Sequence, residues 1–131
     1  MKIRLISIPV PDQAKALAFY TDVLGLEKKH DIPVGGENRW LTVISAEDKE
    51  GPEILLEPAP IHFEPAKVYY SALYEAGIPV AQFDVDSADD EHQRLTQLGV
   101  EFKTPPTVMG GAKVAIFDDT CGNWIQIAEM L

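Results

Sequence analysis

Two stretches of the chain repeat one another: "DVLGLEKKHDIP" at residues 22–33 and "QLGVEFKTPP" at 97–106. The likeness extends outward from both. Leu24-Gly25 and Leu98-Gly99 lie 74 residues apart and Gly51 and Gly122 lie 71 apart, so small loop differences absorb the change in spacing. A chain that carries one unit twice, at roughly 55 residues per copy, has too few copies for a solenoid, which needs at least three stacked repeats. Duplication into a domain with pseudo-two-fold symmetry fits better.

Each copy has the same order of elements. "KIRLISIPV" alternates and is rich in branched residues, which predicts a strand over 2–9. "PDQAKALAFYTDVLG" follows with Asp12 as N-cap, an apolar stripe through Ala16, Leu17, Phe19, Tyr20, Val23 and Leu24, and Gly25 at C′, which predicts a helix of about three turns. Strands over 26–32, 39–45 and 53–57 are separated by "PVGGEN" and "AEDKEGP", both rich in turn formers. In the second copy, a strand over 80–85 leads into "SADDEHQRLTQLG", a helix capped by Ser87, and then into the strands "VEFKT", "AKVAIFD" and "NWIQIAEM". Between the copies, Pro65 and Gly77 bracket a connecting helix or irregular turn over 66–76. The order is βαβββ twice, an α+β chain.

Composition narrows the function classes. Hydrophobic residues make up 46% of the 131, enough for a core without disulfides or a structural metal. The 21 acidic residues outnumber the 11 basic ones, so the net charge of −10 argues against nucleic acid or an anionic membrane surface, which require clustered Lys and Arg. No apolar run reaches the roughly 20 residues that cross a bilayer, and the N-terminus lacks a signal-peptide core. With one cysteine, Cys121, no intrachain disulfide can form, and a cytoplasmic location is expected.

Strand alternation assigns faces. Ile54 and Leu56 match Ile125 and Ile127 as uniformly aliphatic positions suited to packing on a helix, with Ile6, Ile8, Phe83 and Val85 on the same side. The opposite face is mixed: Leu5, Ser7, Glu53, Leu55 and Glu57 in one copy, Val80, Gln82, Trp124, Gln126 and Ala128 in the other. Such a face either meets solvent, as antiparallel sheets often do, or lines a partly wet concavity.

"IPVPDQAKALAFYTDVLGLE", "FDVDSADDEHQRLTQLGVEF" and "FDDTCGNWIQIAE", in that order, resemble the vicinal oxygen chelate superfamily, the glyoxalase/bleomycin resistance/extradiol dioxygenase fold. The resemblance covers essentially the whole chain. It implies a single domain over 1–131, with a first module at 1–58, a connector at 59–78 and a second module at 79–131, its mixed faces curled into a cupped, partly closed barrel with the helices outside. It also implies a homodimer. Metal-dependent members hold a divalent ion with one side chain from the first and last strand of each module. Carried over, those positions are Leu5, Leu55, Val80 and Gln126. Three have no donor atom, and Gln126 is a weak neutral oxygen donor where the family has Glu. A register shift of two residues would exchange Leu55 for Glu57 and supply one good ligand. The expectation is therefore no metal cofactor, with a divalent metal as the runner-up; glyoxalase-like lyase or extradiol dioxygenase chemistry would require that ion.

Binding residues are better supplied. Trp40, Thr42, Lys113, Phe117 and Trp124 are assigned to the mixed face beside Ser7, Glu57 and Gln126, and small-molecule pockets combine apolar or aromatic walls with a few polar groups. Glu57 is the best candidate for an acid or base. Phe63, Tyr69, Tyr70 and Tyr74 in the connector either close the cup or simply pack, and Arg39 either pairs a ligand carboxylate or remains a surface charge. His30, His62 and His92 show no ligand spacing, and Cys121 has no visible histidine or cation to activate it. Gly35-Gly36 and Gly110-Gly111 read as loop hinges, lacking the context of a phosphate loop. The expected function is binding of a small organic ligand without the family metal. The alternatives are a divergent lyase or dioxygenase and a protein-interaction module.

Overall fold

Gln13–Ala18 forms a short helix, α1, because Asp12 caps it by accepting the Lys15 amide at 3.0 Å and because Ala16 gives it a buried contact. The next turn, Phe19–Val23, widens to a π-helix, and the Leu24 amide reaches back to the Phe19 carbonyl at 3.1 Å. Thr21 contributes to the widening: its hydroxyl donates to the Leu17 carbonyl at 2.7 Å, a contact known to bend helices. The three regular turns expected from the apolar stripe are thus an α-helix followed by a π-turn. Gly25, at φ 83°, reverses the chain into the next strand.

The computed structural model describes residues 1–131 and divides into two units, Met1–Tyr70 and Ser71–Leu131. In the first unit, β1 (Leu5–Pro9), β2 (Glu27–Gly35), β3 (Asn38–Ile44) and β4 (Glu53–Glu57) form a sheet in the order β1-β4-β3-β2. β1 runs parallel to β4 and the other pairs are antiparallel. Helix α1 packs on β3 and β4, where Ile8, Val10, Tyr20, Leu41, Val43 and Leu56 are fully buried or nearly so. Ile6, expected in this layer, is 46% exposed near the start of an edge strand.

The connector contains two helices, α2 (Ala59–His62) and α3 (Glu64–Ala76), the second ending at Gly77 with φ 70°. In the second unit, β5 (Pro79–Asp84), β6 (Phe102–Met109), β7 (Ala112–Asp118) and β8 (Trp124–Met130) repeat the first arrangement in the order β5-β8-β7-β6. Helix α4 (Ala88–Gln97), capped by Ser87 on the Asp90 amide at 3.2 Å, packs on β6, β7 and β8. Its core is Leu95, Ala115, Phe117, Ile125 and Ile127. The chain is therefore α+β with two four-stranded mixed sheets.

The hairpins β2–β3 and β6–β7 turn on Gly36-Glu37 and Gly110-Gly111, with Gly36 at φ 59° and Gly110 at φ 61°. Both β2 and β6 run past the predicted strand ends, through Pro33 and through Pro105-Pro106. They can, because each is the outer strand of its sheet and needs hydrogen bonds on one side only. Pro9 and Pro79 likewise lie on the edge strands β1 and β5, whereas the central strands β3, β4, β7 and β8 contain no proline.

Candidate functional site

Residues directly opposite on paired strands share a face, so the pairing register defines the two mixed faces. In the first sheet Ser7, Leu55, Thr42 and His30 lie in one row across β1, β4, β3 and β2. In the second sheet the matching row is Gln82, Gln126, Ile116 and Thr104 across β5, β8, β7 and β6.

The first row holds a buried polar cluster. Thr42 is inaccessible to solvent, and its hydroxyl donates to Glu53 Oε2 at 2.8 Å while accepting the His30 backbone amide at 3.1 Å. Glu53, also buried, pairs with Lys29 Nζ at 3.2 Å and lies 3.7 Å from His30 Nε2. Burial alone would raise the Glu53 carboxyl, but the Thr42 hydrogen bond and the charges of Lys29 and His30 outweigh it and hold the group below its ordinary value. Glu53 and His30 were not singled out together from the sequence, although Glu53 shares the parity of Leu55; only the fold brings it next to a cation two strands away.

The second row is engaged differently. Gln126 Nε2 donates to Gln82 Oε1 at 2.6 Å, and Gln82 Nε2 donates to Asp84 Oδ1 at 3.2 Å. Beside them, Trp124 stacks on Tyr74 with ring centroids 5.1 Å apart and donates its indole N–H to the Tyr74 carbonyl at 2.9 Å. The Tyr74 hydroxyl donates to Asp118 at 2.6 Å; that bond, with burial, pushes the phenol up to about 12.

The remaining expected residues fall in several places. Trp40 is on the mixed face and 39% exposed, opposite Ile32. Glu57 is half-buried at the end of β4, opposite Pro9. Lys113 and Phe117 lie on the other face from the one that alternation assigned them: Phe117 pairs with Ile125 and contacts Phe102, and Lys113 forms an ion pair with Asp89 of α4. Arg39 pairs with Asp31 at 3.2 Å. His92 meets Phe102 edge-on, His62 ends α2, and Cys121 is buried in the β7–β8 turn. Phe63 and Tyr69 are exposed, and Tyr69 contacts Tyr70.

A cleft of about 530 Å³ opens in the first unit between Asp12 and Gln13, the β2–β3 turn, and Pro58 and Ile61. Gln13 closes its floor, donating to the carbonyls of Arg39 and Leu56 and accepting the Arg39 amide.

The family metal does not fit the positions carried over to this chain. Leu5 and Leu55 in the first unit and Val80 in the second have no donor atom, and the Gln126 amide is already bonded to Gln82. Leu5 stands opposite Glu53, but that carboxylate is taken up by Thr42 and Lys29. No group of three or more His, Cys, Asp or Glu side chains is placed to hold a metal ion. No helix is long and apolar enough to cross a membrane.

Comparison with known proteins agrees with the duplicated fold. The model of the Glyoxalase/Bleomycin resistance protein/Dioxygenase superfamily matches residues 2–127. The uncharacterized protein YurT of Bacillus subtilis (strain 168) is 46% identical over 129 residues, covering 98% of this chain and 99% of that one. The crystal structure of UcmS2 superimposes with a TM-score of 0.82 at 32% identity, covering 98% of each chain. TnmS3, an antibiotic binding protein from Streptomyces sp. CB03234, shares the fold with a TM-score of 0.75 at 24% identity, covering 100% of this chain and 97% of its own. Matched along nearly its whole length, the chain belongs to the glyoxalase/bleomycin resistance protein/dioxygenase superfamily.

Proposed function

We propose that this chain binds a small organic ligand on the mixed faces of its sheets, without a metal ion at the positions that metal-dependent relatives use. The observation that carries the reading is the row through Gln82, Gln126, Ile116 and Thr104, which sets amide, hydroxyl and aliphatic groups side by side where a metal site would need converging carboxylates or imidazoles. On the face of the second sheet Trp124 and Gln126 are the contacts proposed, and on the face of the first sheet, taken by itself, Ser7, Trp40 and Glu57. The antibiotic-binding TnmS3 supports the reading as a fold-level analogy. The binding form is a homodimer in the cytoplasm.

Protein purified without chelator provides the test, combining metal analysis, light scattering and a thermal-shift screen of aromatic small molecules. A ligand held at a hundredfold excess over its Kd stabilises the native state by about 2.7 kcal/mol, so a binder raises the melting midpoint, and here that rise survives chelation. A stoichiometric transition metal whose removal abolishes the rise overturns the reading. So does a screen without any binder alongside capture of a protein partner. A monomeric mass in light scattering removes the homodimer alone.

A further inference from the structure

On the mixed face of the second sheet, three polar side chains form a line whose direction is fixed at one end. An ionised carboxylate can only accept hydrogen bonds. Asp84 Oδ1 therefore requires the amide nitrogen of Gln82, at 3.2 Å, which leaves Gln82 Oε1 to face Gln126. Gln126 must answer that oxygen with its own nitrogen, at 2.6 Å. Its Oε1 is then the unengaged end of the line. No side-chain oxygen or nitrogen in the chain is buried without a partner, so this oxygen is open to solvent and not sealed within the sheet.

The surroundings favour a donor at that oxygen. The charged side chains that the register puts on this face of β5, β7 and β8 are Asp84 and Asp118, both carboxylates, and the Lys103 ammonium of β6 is engaged with the Gly77 carbonyl at 3.0 Å. Asp118 already accepts the Tyr74 hydroxyl through Oδ2 and the Thr120 amide through Oδ1. Ile116, directly opposite Gln126 on β7, offers an aliphatic surface for the body of a ligand.

We infer that Gln126, oriented by Asp84 through Gln82, is a specificity-determining residue that accepts a hydrogen bond from the ligand, so that ligands of this chain present an N–H or O–H donor to β8. This inference rests on the ligand-binding reading above. Asp84 and Gln82 are positioning residues.

The test uses the full chain and a set of matched aromatic phenols and their methyl ethers, with affinities taken from amide-detected nuclear magnetic resonance titrations. Phenols bind the native protein about three- to tenfold more tightly than the ethers, the worth of one hydrogen bond. Gln126→Leu brings each phenol to the level of its ether while ether binding persists. Asp84→Asn, which can offer either an oxygen or a nitrogen to Gln82, narrows the preference and shifts the side-chain amide signals of Gln82 and Gln126 together. Equal binding of phenols and ethers by the native protein, or a preference that survives Gln126→Leu, overturns the inference and leaves the binding reading standing. A set in which neither member of any pair binds overturns both.

Discussion

The two sheets share one topology but arrange polarity differently on their mixed faces. In the first, the polar group sits on β3, where Thr42 is sealed against Glu53 and the cation from β2. In the second, Ile116 takes the place of Thr42, Gln126 the place of Leu55, and the polar contact moves to the β5–β8 pair. Glu53 and Trp124 are also equivalent by the repeat offset, and each anchors a neighbour: Glu53 holds Lys29, and Trp124 holds Tyr74 of α3. A duplicated scaffold can thus exchange its chemistry position by position, provided each buried polar atom keeps a partner. In the first unit Thr42 and Glu53 satisfy one another below the surface, whereas in the second the Gln82 and Gln126 amides pair near solvent.

The largest effect that bears on this contrast lies beneath the second face. Phe117 is fully buried, and Phe117→Ala is expected to cost about 3–5 kcal/mol, with its first-unit counterpart Val43→Ala costing roughly half as much. Guanidinium unfolding measures both. A larger loss at Val43 would break the view that aromatic packing carries the second core.

Thr42→Val ranks next, at about 1–3 kcal/mol near neutral pH, because it leaves Glu53 buried and short of a donor. The sign of its pH dependence follows from the lowered Glu53 carboxyl. The stabilisation is fully present above the ordinary carboxylate range and is lost as pH falls through the depressed folded value. Native protein should therefore lose stability on acidification more steeply than Thr42→Val. Parallel acid profiles from urea unfolding would show that the cluster contributes nothing.

Tyr74→Phe should cost the least, about 1 kcal/mol, since its hydrogen bond is partly screened by solvent. Here the shift is upward, caused first by the bond to Asp118 and then by burial. The contribution is whole below the unfolded tyrosine value of 10.0 and disappears as pH rises through about 12. An alkaline melting profile of Tyr74→Phe as steep as that of the native protein would contradict it.

The repeat made the element order legible, since helix caps at Asp12 and Ser87 and the glycine exits are local signals that tertiary context did not override. Faces were less legible beyond the first and last strand of each unit. β6 has register shifts between Phe102 and Thr104 and between Thr104 and Thr107, and no parity rule carries across such irregularities. Lys113 and Phe117 sit on β7, the partner of that strand, and the pairing of Phe117 with Ile125 puts both on the helix-packed face, a register that strand alternation alone does not supply. The Glu53–Thr42–Lys29 cluster is not legible in the sequence for a related reason: its members come from three strands, and a bulge between Lys28 and His30 brings the cation into reach. The π-turn is not legible because the apolar stripe runs unbroken across it, and the Thr21 back-bond to Leu17 shows only in three dimensions.

Every open sheet edge in this chain carries a proline: Pro9, Pro33, Pro79, and the pair Pro105-Pro106. A proline removes one backbone donor from the strand that carries it and so interrupts the row with which a stray strand from another molecule would pair. A chain with 46% hydrophobic residues thus ends each of its two sheets in proline-bearing strands, which gives aggregation no continuous template. This protection stands apart from the faces, so side chains can change along β4 and β8 without weakening it.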